Sequence, residues 1–158
     1  HGVGNMFKTM QVLEAMDMPA KALVDLDFVF THAVKNKLLD PHDEDLNKCF
    51  ELFRSMEAKG LVNLKDGLPT KFGNSKAADA YVLLAQSPEA SEPIRRIHDK
   101  LKARNIWFWS KGTIEIPCGL EGKKNRHWSS MAQRLEREHY KTVLPHWQEV
   151  EALVNWLK

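Results

Sequence analysis

Apolar and polar positions along the chain switch between a helical and a strand-like period, in the order expected of an α/β protein. GVGNMFKTMQVLEAMDMP opens on a glycine-rich turn and continues as a helix. Asn5 suits its N-cap, Phe7, Met10, Val12, Leu13 and Met16 form its apolar stripe, and Pro19 stops it. The near-continuous apolar run AKALVDLDFVF, interrupted only by Asp25 and Asp27, predicts a buried parallel strand over 20–30. Residues 32–60 read as helical, most clearly over 41–60, where Pro41 lies near the first turn and Gly60 is a stop. Residues 61–76 are turn-rich and read as a loop with a short hairpin. Helices follow over 75–86 and 87–105, and IWFWS (106–110) predicts a second buried strand. A loop over 111–125 leads to two closing helices, 127–143 and 145–158, the second started by Pro145. Trp107, Trp109, Trp147 and Trp156 fall on apolar faces and are expected in the core. The fold expected is a small parallel sheet flanked by helices, in one domain over 1–158, with a helical insert at about 37–103 and C-terminal helices.

Composition narrows this little. The chain has 158 residues, 43% hydrophobic and 28% charged, which suits a soluble globular domain with its own core. A net charge of +2 does not by itself mark a nucleic-acid binder. No apolar run approaches the ~20 residues that span a bilayer, so no membrane partner is expected. Cys49 and Cys118 have neither CxxC spacing nor a histidine at ligand spacing, which argues for a reduced, cytoplasmic protein without a zinc site. The opening HGVGNMF has no initiator methionine and begins as if at the end of a strand, so the chain reads as an N-terminally incomplete fragment.

The candidate chemistry lies after the two strands, where ligands collect in open parallel sheets. In a strand, residues i and i+2 share a face, so Asp25 and Asp27 would point the same way and repel without a cation between them. A hard ion such as Mg²⁺ or Mn²⁺ resolves that conflict. The alternative is that the strand ends at Val24 and both aspartates are solvated turn residues. In WSKGTIE, Lys111 can neutralise a phosphoryl transition state, Gly112 permits close backbone approach, and Glu115 can add a carboxylate. In GLEGKKNRHW, Lys123, Lys124, Arg126 and His127 adjoin Trp128, a mixture that suits a phosphate backbone and a base, although such a charge run is more often a solvated loop. His42 with Asp43, Glu44 and Asp45 is explained by capping and the helix dipole. HGVGN lacks the spacing of a phosphate-binding loop.

Taken together, HGVGN, ALVDLD and IWFWSKGTIE resemble, in that order, the Toprim domain of the overcoming-lysogenization-defect (OLD) family of nucleases. The resemblance covers residues 1–36 and 104–137. It implies a DNA endonuclease with one or two Mg²⁺ or Mn²⁺ ions, Asp25 and Asp27 as metal ligands, and Glu115 as a second-site or supporting carboxylate. It also implies Lys111 as catalytic lysine and Gly2 and Gly4 as the turn beside the metal. The first-strand glutamate of the Toprim pattern has no counterpart here, which places part of the metal site upstream of His1. The family further implies an upstream ATPase domain in the same polypeptide and oligomerisation through it.

Two other readings fit the same residues. VDLDFV suits a haloacid-dehalogenase-like phosphohydrolase, with Asp25 as nucleophile, Asp27 as acid/base, Ser110 binding phosphate and Lys111 nearby. Its aspartates normally follow a first strand, however, and its downstream acidic pair is absent here. A non-catalytic helical interaction module, using the amphipathic HWQEVEALVNWL, is the third.

Overall fold

The computed structural model describes residues 5–122 and 124–158, which form two compact units, one up to Gly112 and one from Thr113. The first unit runs α1 (Met6–Ala15), β1 (Ala22–Val24), a π-helical turn (Val29–Ala33), α2 (Glu44–Ala58), β2 (Asn63–Lys65), β3 (Leu68–Thr70), α3 (Ala77–Gln86), α4 (Pro88–Lys102) and β4 (Ile106–Phe108). The second holds α5 (Glu115–Cys118), α6 (Asn125–Leu135), α7 (Tyr140–Val143) and α8 (Trp147–Leu157). β1 and β4 pair in parallel, with Ala22 opposite Ile106 and Val24 opposite Phe108, so the fold is α/β with a small parallel sheet among helices. β2 and β3 make the expected hairpin across Asp66 and Gly67, both at positive φ (53° and 77°), the geometry an Asp-Gly hairpin turn requires.

Several elements differ from the sequence expectation. The first strand is three residues long, not eleven. Beyond Val24 the backbone winds into a helical turn, with Phe28 N–H donating to the Asp25 carbonyl and Val29 N–H to that of Leu26 (both 3.1 Å). The apolar residues Leu26, Phe28, Val29 and Phe30 are buried all the same, from a helical turn rather than a strand. β1 is also buried on one face only, since Leu23 is exposed. The helix expected over 32–60 begins at Glu44, where Asp43 caps it by accepting from the backbone N–H of Asp45 (3.0 Å) and Leu46 (3.2 Å). The expected loop over 111–125 contains α5, ended by Gly119 at φ 67°. The expected helix over 127–143 is two helices: the Glu138 carboxylate folds back onto Arg134 (2.9 Å), and the His139 ring accepts from Lys141 N–H to start α7. Asn5 precedes α1 without a side-chain cap, and Val12 and Met16 of its stripe are exposed. Trp107 and Trp109 are buried, whereas Trp147 and Trp156 are half-buried.

The core of the first unit is an aromatic cluster. The Phe30 ring lies 5.3 Å from Phe53 and 5.5 Å from Tyr81, and Phe53 lies 5.5 Å from Tyr81. At one edge of this core α2 and α4 are joined by charge. Asp45 is buried, and its oxygens accept from Arg96 (2.7 Å) and Lys100 (2.9 Å). Burial pushes the Asp45 carboxyl up, but the Lys100 and Arg96 hydrogen bonds outweigh it and hold the group below its ordinary value. Thus the acidic run 43–45 does more than cap a helix. Cys49 and Cys118 are free thiols, and burial, with the charges of Asp45 and Asp43, pushes Cys49 up to about 12.

His98 on α4 packs edge-on against Trp107 (4.4 Å) and Phe108 (5.0 Å) of β4. Burial lowers its pKa and Lys102 adds to this, while Asp99 opposes it. The unfolded chain, with an ordinary histidine near ~6.5, therefore binds the proton more readily than the folded one. Its stabilising contribution is complete above that pH and is lost as the pH falls. We expect the thermal midpoint to drop between pH 7.5 and 5.5, and His98→Phe to flatten that drop; an equal drop in both proteins would exclude His98 as the source.

Candidate functional site

The parallel pairing sets the carboxyl ends of β1 and β4 side by side. Trp109 N–H donates to the Val24 carbonyl (3.0 Å), extending the ladder by one bond before both chains turn away. Two residues beyond Val24, Leu26 N–H donates to the Gly112 carbonyl (2.7 Å). Leu26 is the residue between the two aspartates, and Gly112 follows Lys111. This bond joins VDLD directly to SKG.

Because the strand ends at Val24, strand alternation does not set the directions of Asp25 and Asp27. Burial nevertheless alternates through the turn: Val24, Leu26 and Phe28 are buried, Asp25 is half-buried and Asp27 is exposed. Asp27 is thus on an accessible position and Asp25 on a half-buried one, while their apolar neighbours anchor the backbone. The Asp27 carbonyl accepts from Thr31 Oγ1 (2.8 Å), tying the turn to the helical segment after it. Lys111 is exposed.

Gly112 sits at φ 112°, where L side chains are strained. A Cβ there would lie 2.8 Å from Val82 Cγ2 and 3.2 Å from Val82 Cα. The close approach this glycine permits is to α3. Neighbouring Tyr81 is buried, and burial, followed by the negative charge of Asp27, pushes its phenol up to about 12. Sequence reasoning missed Tyr81 and Val82, because AADAYVLL carries only the stripe of an ordinary buried helix. A glycine just after a strand was the one available signal.

Glu115 belongs to the second unit, where it opens α5 and is buried. In the same unit Lys124 and Arg126 are exposed and Trp128 is half-buried. They lie at the start of α6, whose first turn carries no acidic residue. Gly2, Gly4 and Lys123 lie outside the described residues. Among the described residues, no group of three or more His, Cys, Asp or Glu side chains is arranged to hold a metal ion, and no helix is long and apolar enough to cross a membrane.

These observations define a class: an α/β protein with an aspartate-bearing turn and a lysine–glycine turn joined by a main-chain hydrogen bond at the carboxyl ends of two adjacent parallel strands. The chain is similar to the Old nuclease of Escherichia phage P2, with 27% identity over 164 residues, covering 99% of this chain. The chain spans 27% of the length of that relative. No protein-family model matches the chain, and no solved structure matches it.

Proposed function

We propose that this chain is the Toprim-like catalytic part of an OLD-type nuclease, hydrolysing DNA phosphodiester bonds with Mg²⁺ or Mn²⁺. The observation that carries the reading is the Leu26–Gly112 hydrogen bond, which couples the aspartate turn to the lysine turn at adjacent strand ends. The similarity to Old nuclease over nearly the whole chain supports the same chemistry.

The residues suit the metal. Mg²⁺ keeps several waters and takes one or two protein carboxylates together with substrate phosphate oxygens, so two aspartates without a third ligand fit its habits. Asp25 and Asp27 are the residues that would hold it. When bound, such an ion stabilises phosphoryl charge and makes a coordinated water easier to deprotonate. Lys111 contributes a compact positive charge against the non-bridging oxygens of the pentacoordinate phosphorus in the transition state, and its exposure leaves it open to a polymeric substrate.

Lys124 and Arg126, with Lys123 and Trp128, are assigned to DNA. Cations in the first turn of α6 oppose the helix dipole and gain nothing there for the fold, but they add to its attraction for phosphate. In the longer polypeptide an upstream ATPase domain and oligomerisation through it complete the proposal.

Nicking of supercoiled plasmid by the full-length polypeptide with Mn²⁺ tests this. We expect nicking by the wild type, its loss in Asp25→Ala and a clear reduction in Lys111→Ala. Undiminished nicking in both variants would overturn the reading.

A further inference from the structure

We infer that α3 sets the spacing of the site, with Val82 as a positioning residue that acts through Gly112 to hold the lysine turn against the aspartate turn. This deepens the nuclease reading and rests on it.

Val82 lies against the α-carbon of Gly112, close enough that the site has no room for a methyl group. The Gly112 carbonyl, held by that contact, accepts from Leu26 N–H. Gly112 N–H is itself taken by the Trp109 carbonyl (3.0 Å), so the turn is pinned at both its polar groups and on its apolar side. The residue before Val82 braces the other half. Tyr81 packs on Phe30, three residues beyond Asp27 in the turn that continues from it. One helix therefore backs both turns. A displacement of the Gly112 carbonyl by a few tenths of an ångström lengthens the 2.7 Å bond and separates Lys111 from Asp25 and Asp27. Catalysis is sensitive to offsets on that scale, whereas substrate affinity, spread over many phosphate contacts, is not.

The test is a double-mutant cycle in the full-length polypeptide. Gly112→Ala should lower kcat at least tenfold with KM for DNA unchanged, and speed hydrogen exchange at the Leu26 amide. Adding Val82→Ala removes Cγ2, the nearest of the atoms in the way, while Val82 Cα and N stay at 3.2 and 3.3 Å and the strain at φ 112° remains, so it should recover only part of the lost kcat and of the amide protection. Val82→Ile keeps the Cγ2 atom and adds a methyl group beside it, crowding the same contact from the helix side without backbone strain at residue 112, and should speed Leu26 exchange even if Gly112→Ala does not fold. Leu26 exchange unchanged in both single variants would overturn the inference. Amide exchange reads the brace without reference to cleavage, so a failure of the nuclease reading, seen as undiminished cleavage in Asp25→Ala, is distinguishable from a failure here.

Discussion

Under the proposed nuclease reading, Asp27→Asn should slow metal-dependent cleavage by about 10²–10³-fold, the scale on which losing one positioned electrostatic group slows a reaction. The same substitution leaves folding stability within about 0.5 kcal/mol of the wild type, as expected for an exposed position. The separation of the two effects is the informative result. Asp27 is exposed, and the bond that anchors it structurally, from Thr31 Oγ1, goes to its main-chain carbonyl, which asparagine retains. Its shape is also retained, so the buried Leu26 and Phe28 on either side keep their packing. What changes is the charge, and with it the ability to act as an anionic hard-oxygen ligand. Plasmid cleavage with Mn²⁺ and a thermal melt, run on the same preparation, measure both. Parallel losses of activity and stability would assign Asp27 to the fold instead.

The legible parts of this fold are those whose cause is local. IWF is buried along all three residues, and its continuous apolar character is enough to read β4. Asp-Gly marks the hairpin turn because few other pairs tolerate two positive φ angles. The aspartate run failed to show its true length for the opposite reason. The chain leaves β1 after Val24 because Leu26 N–H is claimed by Gly112, a partner remote in sequence, and an apolar run has the same appearance whether it continues as a strand or folds into a buried helical turn. The split between α6 and α7 is similarly hidden, since HWSSMAQRLEREHYKTV contains neither glycine nor proline and the break depends on how Glu138 and His139 are bonded.

The candidate site shows the same division. Asp25, Asp27, Lys111 and Gly112 are visible as residue types after apolar runs, but their junction depends on parallel register, which no local pattern encodes. α3 is invisible to motif reasoning because its contribution is shape. Val82 offers no chemistry, only a surface that a glycine alone can approach.

Phe53→Ala should be the most destabilising single change in the first unit, by about 4 kcal/mol, or a fall of roughly 10 °C in thermal midpoint. Phe53 is fully buried, and its ring meets Phe30 at 72° and Tyr81 at 88°, edge-to-face arrangements that add to simple burial. Truncation removes both contacts and leaves a cavity that neither neighbour can fill without giving up its own support. Phe53→Leu keeps most of the volume and should cost about 1.5 kcal/mol. The consequence reaches the site through Phe30, which follows Asp27 by three residues, and through Tyr81, which precedes Val82. Loss of Phe53 loosens the backing of the aspartate turn and of α3 together. Cleavage should therefore fall in Phe53→Ala even at temperatures where the protein remains folded, whereas Phe53→Leu should cleave close to wild-type rates. Chemical denaturation and plasmid nicking at 20 °C check this, and a loss below about 1 kcal/mol in Phe53→Ala would show that the cluster relaxes around the gap.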